Sequence, residues 1–347
     1  MRRFIYIVCL AAVSLTATIA VLELSLKAIR YKPRAVWWQW VTNPDNQKFV
    51  LDTRRIYRLK KGVIVDFEEN TPVQTINAEG WRASPCAQGS ETWLFVGDSF
   101  VYGHGVDDQQ TFPAYAYKAM MDHGKPVCTV NAGVQGYSLG PSYVAFREAL
   151  VRVKPDVVVW GIRSDDFLDS AQNGVISVNK DDVIVRGAWT SGVFLQGVLN
   201  KTVGRIFPHS LLLNALMYVL QADRTDNRYI AEQMRTLPFF LSHMRALSQK
   251  HLFTLYYVIT PSQSVVIDPT RSDNPEGAVY APLRQALRTN GEPFLDMNAV
   301  LSPVYLTHLK KIVGIESDKI FQTDGHLTAS GNKLMGKLFY DATYAGR

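Results

Sequence analysis

Residues 4–22 form an apolar run without a charged side chain, preceded by Arg2 and Arg3 and about as long as a helix must be to cross a hydrocarbon core. A cleavable leader would have a shorter apolar stretch followed by a small-x-small site. The best match, Thr18-Ile19-Ala20, lies inside the run, so residues 1–30 read as an uncleaved anchor. Residues 31–90 are rich in turn formers and aromatics without sustained helical period. They predict an extended lead-in with short strands at 63–67 and 73–76, packed on the remainder of the chain rather than forming a separate domain. From Thr92 the pattern changes: short apolar runs at 93–96, 127–130 and 157–161 alternate with amphipathic stretches at 112–121 and 143–153. Such alternation indicates βαβ units and a parallel sheet covered on both faces. An insertion at about 170–225 interrupts it, with a hairpin (175–178 and 183–185, turning through 179–181) and an apolar helix at 211–220. The alternation resumes with a helix at 230–248, a strand at 253–259, a helix at 280–287, a short strand at 293–296 and a final helix at 329–340. Residues 91–347 are therefore expected to be one α/β domain with an insertion.

Composition adds limits rather than a function. With 347 residues, 47% hydrophobic and 20% charged, the chain is an ordinary globular protein, neither disordered nor fibrous. A net charge of +6 does not point to nucleic acid, because the basic residues are dispersed and no nucleic-acid motif accompanies them. Lys27, Arg30, Lys32 and Arg34 follow the apolar run, where attraction to anionic lipid head groups accounts for them. Trp37, Trp38 and Trp40 come next and suit either the membrane interface or the start of core packing. Of three cysteines, Cys9 lies in the anchor; Cys86 and Cys128 are either a pair that an oxidising compartment could join or two inert thiols. Neither has CxxC or zinc-site spacing.

Chemistry enters at Leu94-Phe95-Val96-Gly97-Asp98-Ser99-Phe100, where a buried strand runs into Gly-Asp-Ser and so sets a serine at the carboxyl edge of the sheet. Ligands of open α/β sheets bind at that edge. Alone the tripeptide is weak, since Asp-Ser is also an ordinary helix N-cap. Serine needs a base, and the base needs a group that fixes its tautomer. Thr323-Asp324-Gly325-His326-Leu327-Thr328-Ala329-Ser330-Gly331, just before the last helix, offers both in one short loop, although an isolated histidine there is most simply a helix-start residue. His104, between two glycines, either lines the site or, as the first expectation, is a loop histidine near the surface; Asp107 and Asp108 read as a solvated turn before Thr111 caps a helix.

Taken in order, the blocks Gly97-Asp98-Ser99-Phe100 with Gly103-His104-Gly105-Val106 and Thr111-Phe112-Pro113, Asn131-Ala132-Gly133-Val134-Gln135-Gly136-Tyr137, Pro155-Asp156-Val157-Val158-Val159 and 324–331 resemble the SGNH (GDSL-like) hydrolases. The resemblance runs from about Tyr57 to Gly336 apart from the insertion. The lead-in segments Tyr57-Arg58-Leu59-Lys60 and Ile76-Asn77-Ala78-Glu79-Gly80-Trp81-Arg82 look like those of bacterial, membrane-anchored members.

The resemblance implies a three-layer α/β/α, flavodoxin-like domain on a single N-terminal transmembrane helix. It implies Ser99 as nucleophile, His326 as base, Asp324 as its orienter, and the Ser99 and Gly136 N–H groups as an oxyanion hole. The Asp-x-His spacing is similar to that of enzymes of bacterial exopolysaccharide acetylation. One block departs: Arg163-Ser164-Asp165-Asp166 puts Asp165 where members usually have an asparagine. An ionised carboxylate accepts but cannot donate to an oxyanion, so Asp165 is a doubtful member of the hole. In the implied strand order Cys86 shortly precedes the first core strand and Cys128 lies on the second, its neighbour, so the two are expected close enough to bond. The expected function is a serine esterase or acyltransferase acting through an acyl-enzyme on an O-acylated, foremost O-acetylated, carbohydrate or cell-envelope glycan. The rival expectations are a weak or inactive binding or assembly protein of an envelope polysaccharide system, and a lipid-directed esterase. No cofactor is expected; Asp165, Asp166 and Asp169 lack further ligands at loop spacing, so no metal is expected either. Basic residues flank both ends of the anchor, and only the resemblance places the domain on the periplasmic or outer side of an inner membrane.

Overall fold

The computed structural model describes residues 2–31, 48–65, 73–87, 90–167, 175–180, 182–187, 210–213, 215, 227–268, 275–302 and 320–344. Trp37, Trp38, Trp40, Lys32, Arg34, Asp169 and most of the helix expected at 211–220 lie outside them.

The apolar run is one helix, α1 (Arg2–Ala28), of which Arg3–Ala28 is long and apolar enough to cross a membrane, with a mean hydropathy of 2.4 in its most apolar window. At its carboxyl end the Glu23 carboxylate accepts hydrogen bonds from Ser210 Oγ (3.0 Å) and the N–H groups of Leu211 (2.8 Å) and Leu212 (3.0 Å), tying the insertion to the helix.

Two antiparallel pairs make up the described lead-in: β1 (Phe49–Asp52) with β2 (Ile56–Leu59), and β3 (Val63–Val65) with β4 (Gln74–Ile76). The second pair matches the strands expected there; the first lacks a clean period-2 pattern and was not legible. Phe49, Ile56, Tyr57, Leu59 and Ile76 pack against Tyr102, Val134 and Tyr137 of the α/β body.

The body follows the predicted alternation. Its elements are β5 (Glu91–Val96), a one-turn helix α2 (Ser99–Tyr102), α3 (Phe112–Asp122), β6 (Val127–Asn131), α4 (Leu139–Val153) and β7 (Val157–Ile162). The insertion contributes the antiparallel hairpin β8 (Ile176–Val178) and β9 (Val183–Val185). Then come α5 (Asn227–His251), β10 (Thr254–Ile259), α6 (Gln263–Ile267), α7 (Pro275–Thr289), β11 (Phe294–Asp296), α8 (Met297–Val300) and α9 (Ala329–Thr343). The five core strands are parallel and lie in the order β11-β10-β7-β5-β6. Numbered by appearance this is 2-1-3-4-5, the flavodoxin-like order, with its switch point between β5 and β7.

Side chains alternate across each strand. Trp93 and Phe95 of β5, with Val157 and Val159 of β7, face α3 and α9 beside Phe112, Met335 and Phe339. Leu94, Val96, Val158 and Trp160 face the other layer, beside Tyr143 and Phe146 of α4, Phe240 and Leu241 of α5 and Leu283 of α7. Both faces are covered, which is why these strands read as continuous apolar runs. Cys86 is disulfide-bonded to Cys128 on β6, the neighbour of β5.

Arg82 is the least expected core residue, buried completely in the last part of the lead-in. Its guanidinium pairs with Asp108 (2.7 Å) and donates to the carbonyls of Gly103 (2.8 Å) and Val106 (2.6 Å). Asp108, expected as part of a solvated turn, is therefore corrected: a buried guanidinium requires a counter-charge, and this carboxylate supplies it. Thr111 caps α3 as expected, accepting from the Ala114 N–H at 3.3 Å.

Candidate active site

β5 delivers Ser99 to the carboxyl edge of the sheet through a tight approach. Gly97 has φ +155°, and a Cβ there would lie 2.6 Å from Val101 Cγ2 and 3.0 Å from the Gly161 carbonyl, so a larger residue would displace the turn. Asp98 caps α2, its carboxylate accepting from the Phe100 N–H at 2.9 Å. Ser99 is thus the first residue of a short helix, where backbone N–H groups have no intrahelical acceptor, and its side chain is half-buried. The loop after β6 carries Gly136 at φ +68°, a left-handed conformation suited to glycine.

His326 comes from the loop that precedes α9. Its Nε2 lies 2.9 Å from Ser99 Oγ, across 227 positions of sequence. Its Nδ1 lies 3.0 Å from an Asp324 carboxylate oxygen, while its backbone N–H donates to the other oxygen at 3.1 Å. The ring N–H direction misses the carboxylate, so this side of the triad is held by proximity and charge, a looseness common before substrate binds. The loop is tied across the site by Gln322, whose amide donates to the carbonyls of His104 (2.9 Å) and Leu327 (2.7 Å). The three residues singled out from sequence therefore meet as a hydroxyl, an imidazole and a carboxylate in the order nucleophilic catalysis requires.

Two further groups adjoin them. His104 lies beside the triad, 35% exposed, with its ring centroid 4.5 Å from that of His326 and Nε2 3.4 Å from Asp324. The first expectation, a surface loop residue, is thereby corrected in favour of the second, a residue lining the site: Gly103 and Gly105, both at positive φ, turn the chain back over it. Phe100 lies under the His326 ring at 5.2 Å, and the Arg163 guanidinium sits over Phe100 at 4.5 Å. Asp165 pairs with that guanidinium, its Oδ1 3.1 Å from Arg163 Nε. The carboxylate expected from the resemblance to stand in place of an asparagine is thus paired with a cation two residues away, which period and motif reading do not reveal.

Burial dominates the electrostatics. It pushes Asp98 up to about 7, helped by the Asp165 charge and opposed by Arg163. It lowers His326 below the ordinary histidine value, against the attraction of Asp324. Burial alone would raise Asp324, but the His326 N–H, the His326 charge and His104 together hold it below the usual carboxylate range. His326 is therefore neutral and Asp324 ionised near pH 7. A histidine that takes a serine proton must be neutral, so with His326 in that role a lowered pKa extends competence to the acid side: kcat/KM for a neutral ester should fall only below about pH 6.5. A profile from pH 5 to 8 checks this, and an acid limb centred above 6.5 would oppose it.

Two clusters among the described residues could present three ligand atoms to a metal ion: His104, Asp324 and His326, and Asp98, Asp165 and Asp166. In the first, hydrogen-bond partners already account for the arrangement, since the outward nitrogens meet Gln135 and Ser99. In the second, Asp98 caps α2 and Asp166 accepts from the Arg163 N–H at 2.8 Å. A cavity of about 250 Å³ between the lead-in and α4, lined by Arg55, Arg58, Trp81, Tyr137 and Glu148 among others, contains none of the triad residues.

No family model matches the chain. It is 23% identical over 163 residues to an arylesterase of Vibrio mimicus, spanning 46% of this chain and 76% of that one. Solved structures similar to it include TesA (14% identity, 74% of this chain and 99% of that one, TM-score 0.43) and the acetyl xylan esterase AlAXEase (15%, 73% and 99%, TM-score 0.44). The psychrotrophic esterase EstA from Pseudoalteromonas sp. is another (12%, 74% and 98%, TM-score 0.42).

Proposed function

We propose that the chain is a membrane-anchored serine hydrolase of SGNH type, a carboxylic ester hydrolase or O-acyltransferase, with Ser99 as nucleophile, His326 as general base and Asp324 as its orienter. The observation that carries the reading is the meeting of Ser99 Oγ with His326 Nε2 at 2.9 Å, with Asp324 on the far side of the ring. Residues so distant in sequence form this constellation only because the fold brings both loops to one sheet edge. The similarity to an arylesterase points the same way.

In the mechanism His326 removes the Ser99 proton as the oxygen attacks the ester carbonyl. The oxyanion is stabilised by the Ser99 and Gly136 N–H groups, and His326 then protonates the leaving alkoxide, giving an acyl-enzyme. Water as second acceptor gives hydrolysis; a sugar hydroxyl gives transfer. α1 anchors the domain in the inner membrane, with the site facing the periplasm or exterior, a placement in keeping with the Cys86–Cys128 bond. The lead-in belongs to the same structural unit as the α/β body, joined to it by Arg82 and by the packing of Phe49, Tyr57 and Leu59 on Tyr102 and Tyr137. The substrate class is an O-acetylated carbohydrate or envelope glycan.

The test is to assay the full-length protein in detergent against p-nitrophenyl acetate, longer-chain p-nitrophenyl esters and an acetylated xylo-oligosaccharide. Turnover is expected to favour acetyl and to release acetate from the glycan. Preference for long acyl chains would replace the glycan reading with a lipid-directed esterase. Glycan binding without turnover of any ester would replace it with a binding or assembly protein, the reading that Asp165 favours.

A further inference from the structure

Lys48 is buried, at the edge of β1, with Nζ 4.0 Å from the centroid of the Tyr102 ring. It donates to Gln74 Oε1 at 2.8 Å and to Gln135 Oε1. The Gln135 amide nitrogen in turn meets His104 Nδ1, and His104 Nε2 lies 3.4 Å from Asp324 Oδ2. Gln135 is also the residue before Gly136, and its carbonyl accepts from Tyr57 OH at 2.7 Å.

Donor and acceptor arithmetic makes this chain directional. An ammonium has donors only, so the Gln135 atom facing it must be the carbonyl oxygen. The other end of that amide is then an NH₂, which can only donate, so the His104 nitrogen it meets must be the acceptor. A neutral imidazole that accepts at Nδ1 carries its proton at Nε2, the nitrogen that faces Asp324. Burial lowers Lys48 to about 6, and a neutral amine keeps two N–H donors, one for each glutamine oxygen, so the same pattern is open to both charge states. Burial, with the neighbouring His326 and Lys48, lowers His104 to about 4, in keeping with a neutral ring.

Resting on the esterase reading, we propose that Lys48, Gln135 and His104 form a buried positioning relay that fixes His104 as its Nε2–H tautomer, presents that N–H to Asp324, and so holds the carboxylate in place for His326. Asp324 is held on one oxygen by the His326 N–H at 3.1 Å, and its other oxygen lies between two ring nitrogens, His326 Nδ1 at 3.0 Å and His104 Nε2 at 3.4 Å, so His104 adds a second approach to the oxygen that orients the base. The relay also links the carboxylate to the loop bearing Gly136, so base and oxyanion hole are set by one network. None of the three residues touches the reacting atoms.

The experiment uses full-length protein in detergent micelles with ¹⁵N-histidine. Ring nitrogen shifts should report His104, assigned by its disappearance in His104→Gln, as the Nε2–H tautomer from pH 6 to 8. Lys48→Met should convert it to a tautomer mixture. With p-nitrophenyl acetate, His104→Leu should lower kcat about 10-fold at nearly unchanged KM, as loss of a supporting partner does. His104→Gln, which can donate from the same side, should regain most of it. A wild-type His104 found as the Nδ1–H tautomer or as imidazolium overturns the relay. So does a tautomer indifferent to Lys48→Met, or equal kcat values in His104→Leu and wild type. If Lys48→Met fails to fold, the wild-type tautomer and the two His104 variants decide alone. If the wild type turns over no ester, the esterase reading falls while the ring shifts still judge the network.

Discussion

Ser99→Ala should lower ester turnover by about 10⁴–10⁶-fold and abolish labelling by a fluorophosphonate probe, a larger loss than substitution of any supporting residue should cause. The methyl group removes the atom that forms the acyl-enzyme, and nothing at 2.9 Å from His326 Nε2 replaces it. His326→Ala should cost a similar amount, because an unassisted serine hydroxyl is a poor nucleophile near pH 7. The double variant should be no worse than either single one, since residues acting as a unit are grossly non-additive. Steady-state hydrolysis of p-nitrophenyl acetate gives the rates, and mass spectrometry of the labelled wild type locates the adduct. An adduct elsewhere, or full turnover in Ser99→Ala, would remove Ser99 from the mechanism.

How much of this was legible in sequence depends on what fixes each feature. The core strands were legible because burial on both faces writes an apolar run: Trp93 and Phe95 serve one layer, Leu94 and Val96 the other. Ser99, Asp324 and His326 were legible as a set only through the resemblance, because each segment alone reads as an ordinary helix start. Their meeting was not local; it needed the 2-1-3-4-5 order that sets both loops at one edge. What period and motif could not show were pairings made by buried polar groups. Arg82 with Asp108, and Lys48 with Gln74 and Gln135, look in sequence like dispersed surface charge. Each is fixed by the requirement that a buried ionisable group find partners, a constraint between residues 26 or 87 positions apart. His104 belongs to the same class: between two glycines it reads first as a loop residue near the surface, and the choice for the site comes from the Asp324 loop beside it.

Asp165 is the strongest conflict between motif and chemistry, and the pairing with Arg163 sets its expected behaviour. With the ion pair intact Arg163 offsets the charge of Asp165, which shares a cluster with Asp98 and Asp166, so the two backbone N–H groups face less negative charge than an unpaired Asp165 would impose. Arg163→Gln should expose that charge. At an effective dielectric of about 20 and a separation of about 6 Å, two unit charges repel by about 3 kcal/mol, or about 10² in rate. Because the Asp165 side chain is 43% exposed, water screens part of this, and a 10- to 10²-fold loss of kcat is the expected range, on the order of one missing oxyanion contact. Adding Asp165→Asn to Arg163→Gln removes the charge and supplies an amide donor, so the double variant should recover most of the loss. The cycle is read from kcat on p-nitrophenyl acetate in wild type, both single variants and the double. Recovery would show that Arg163 acts on the site by neutralising Asp165. A double variant as slow as Arg163→Gln would mean that the guanidinium acts through its packing on Phe100, which lies under the His326 ring, and that the carboxylate's charge does not reach the oxyanion.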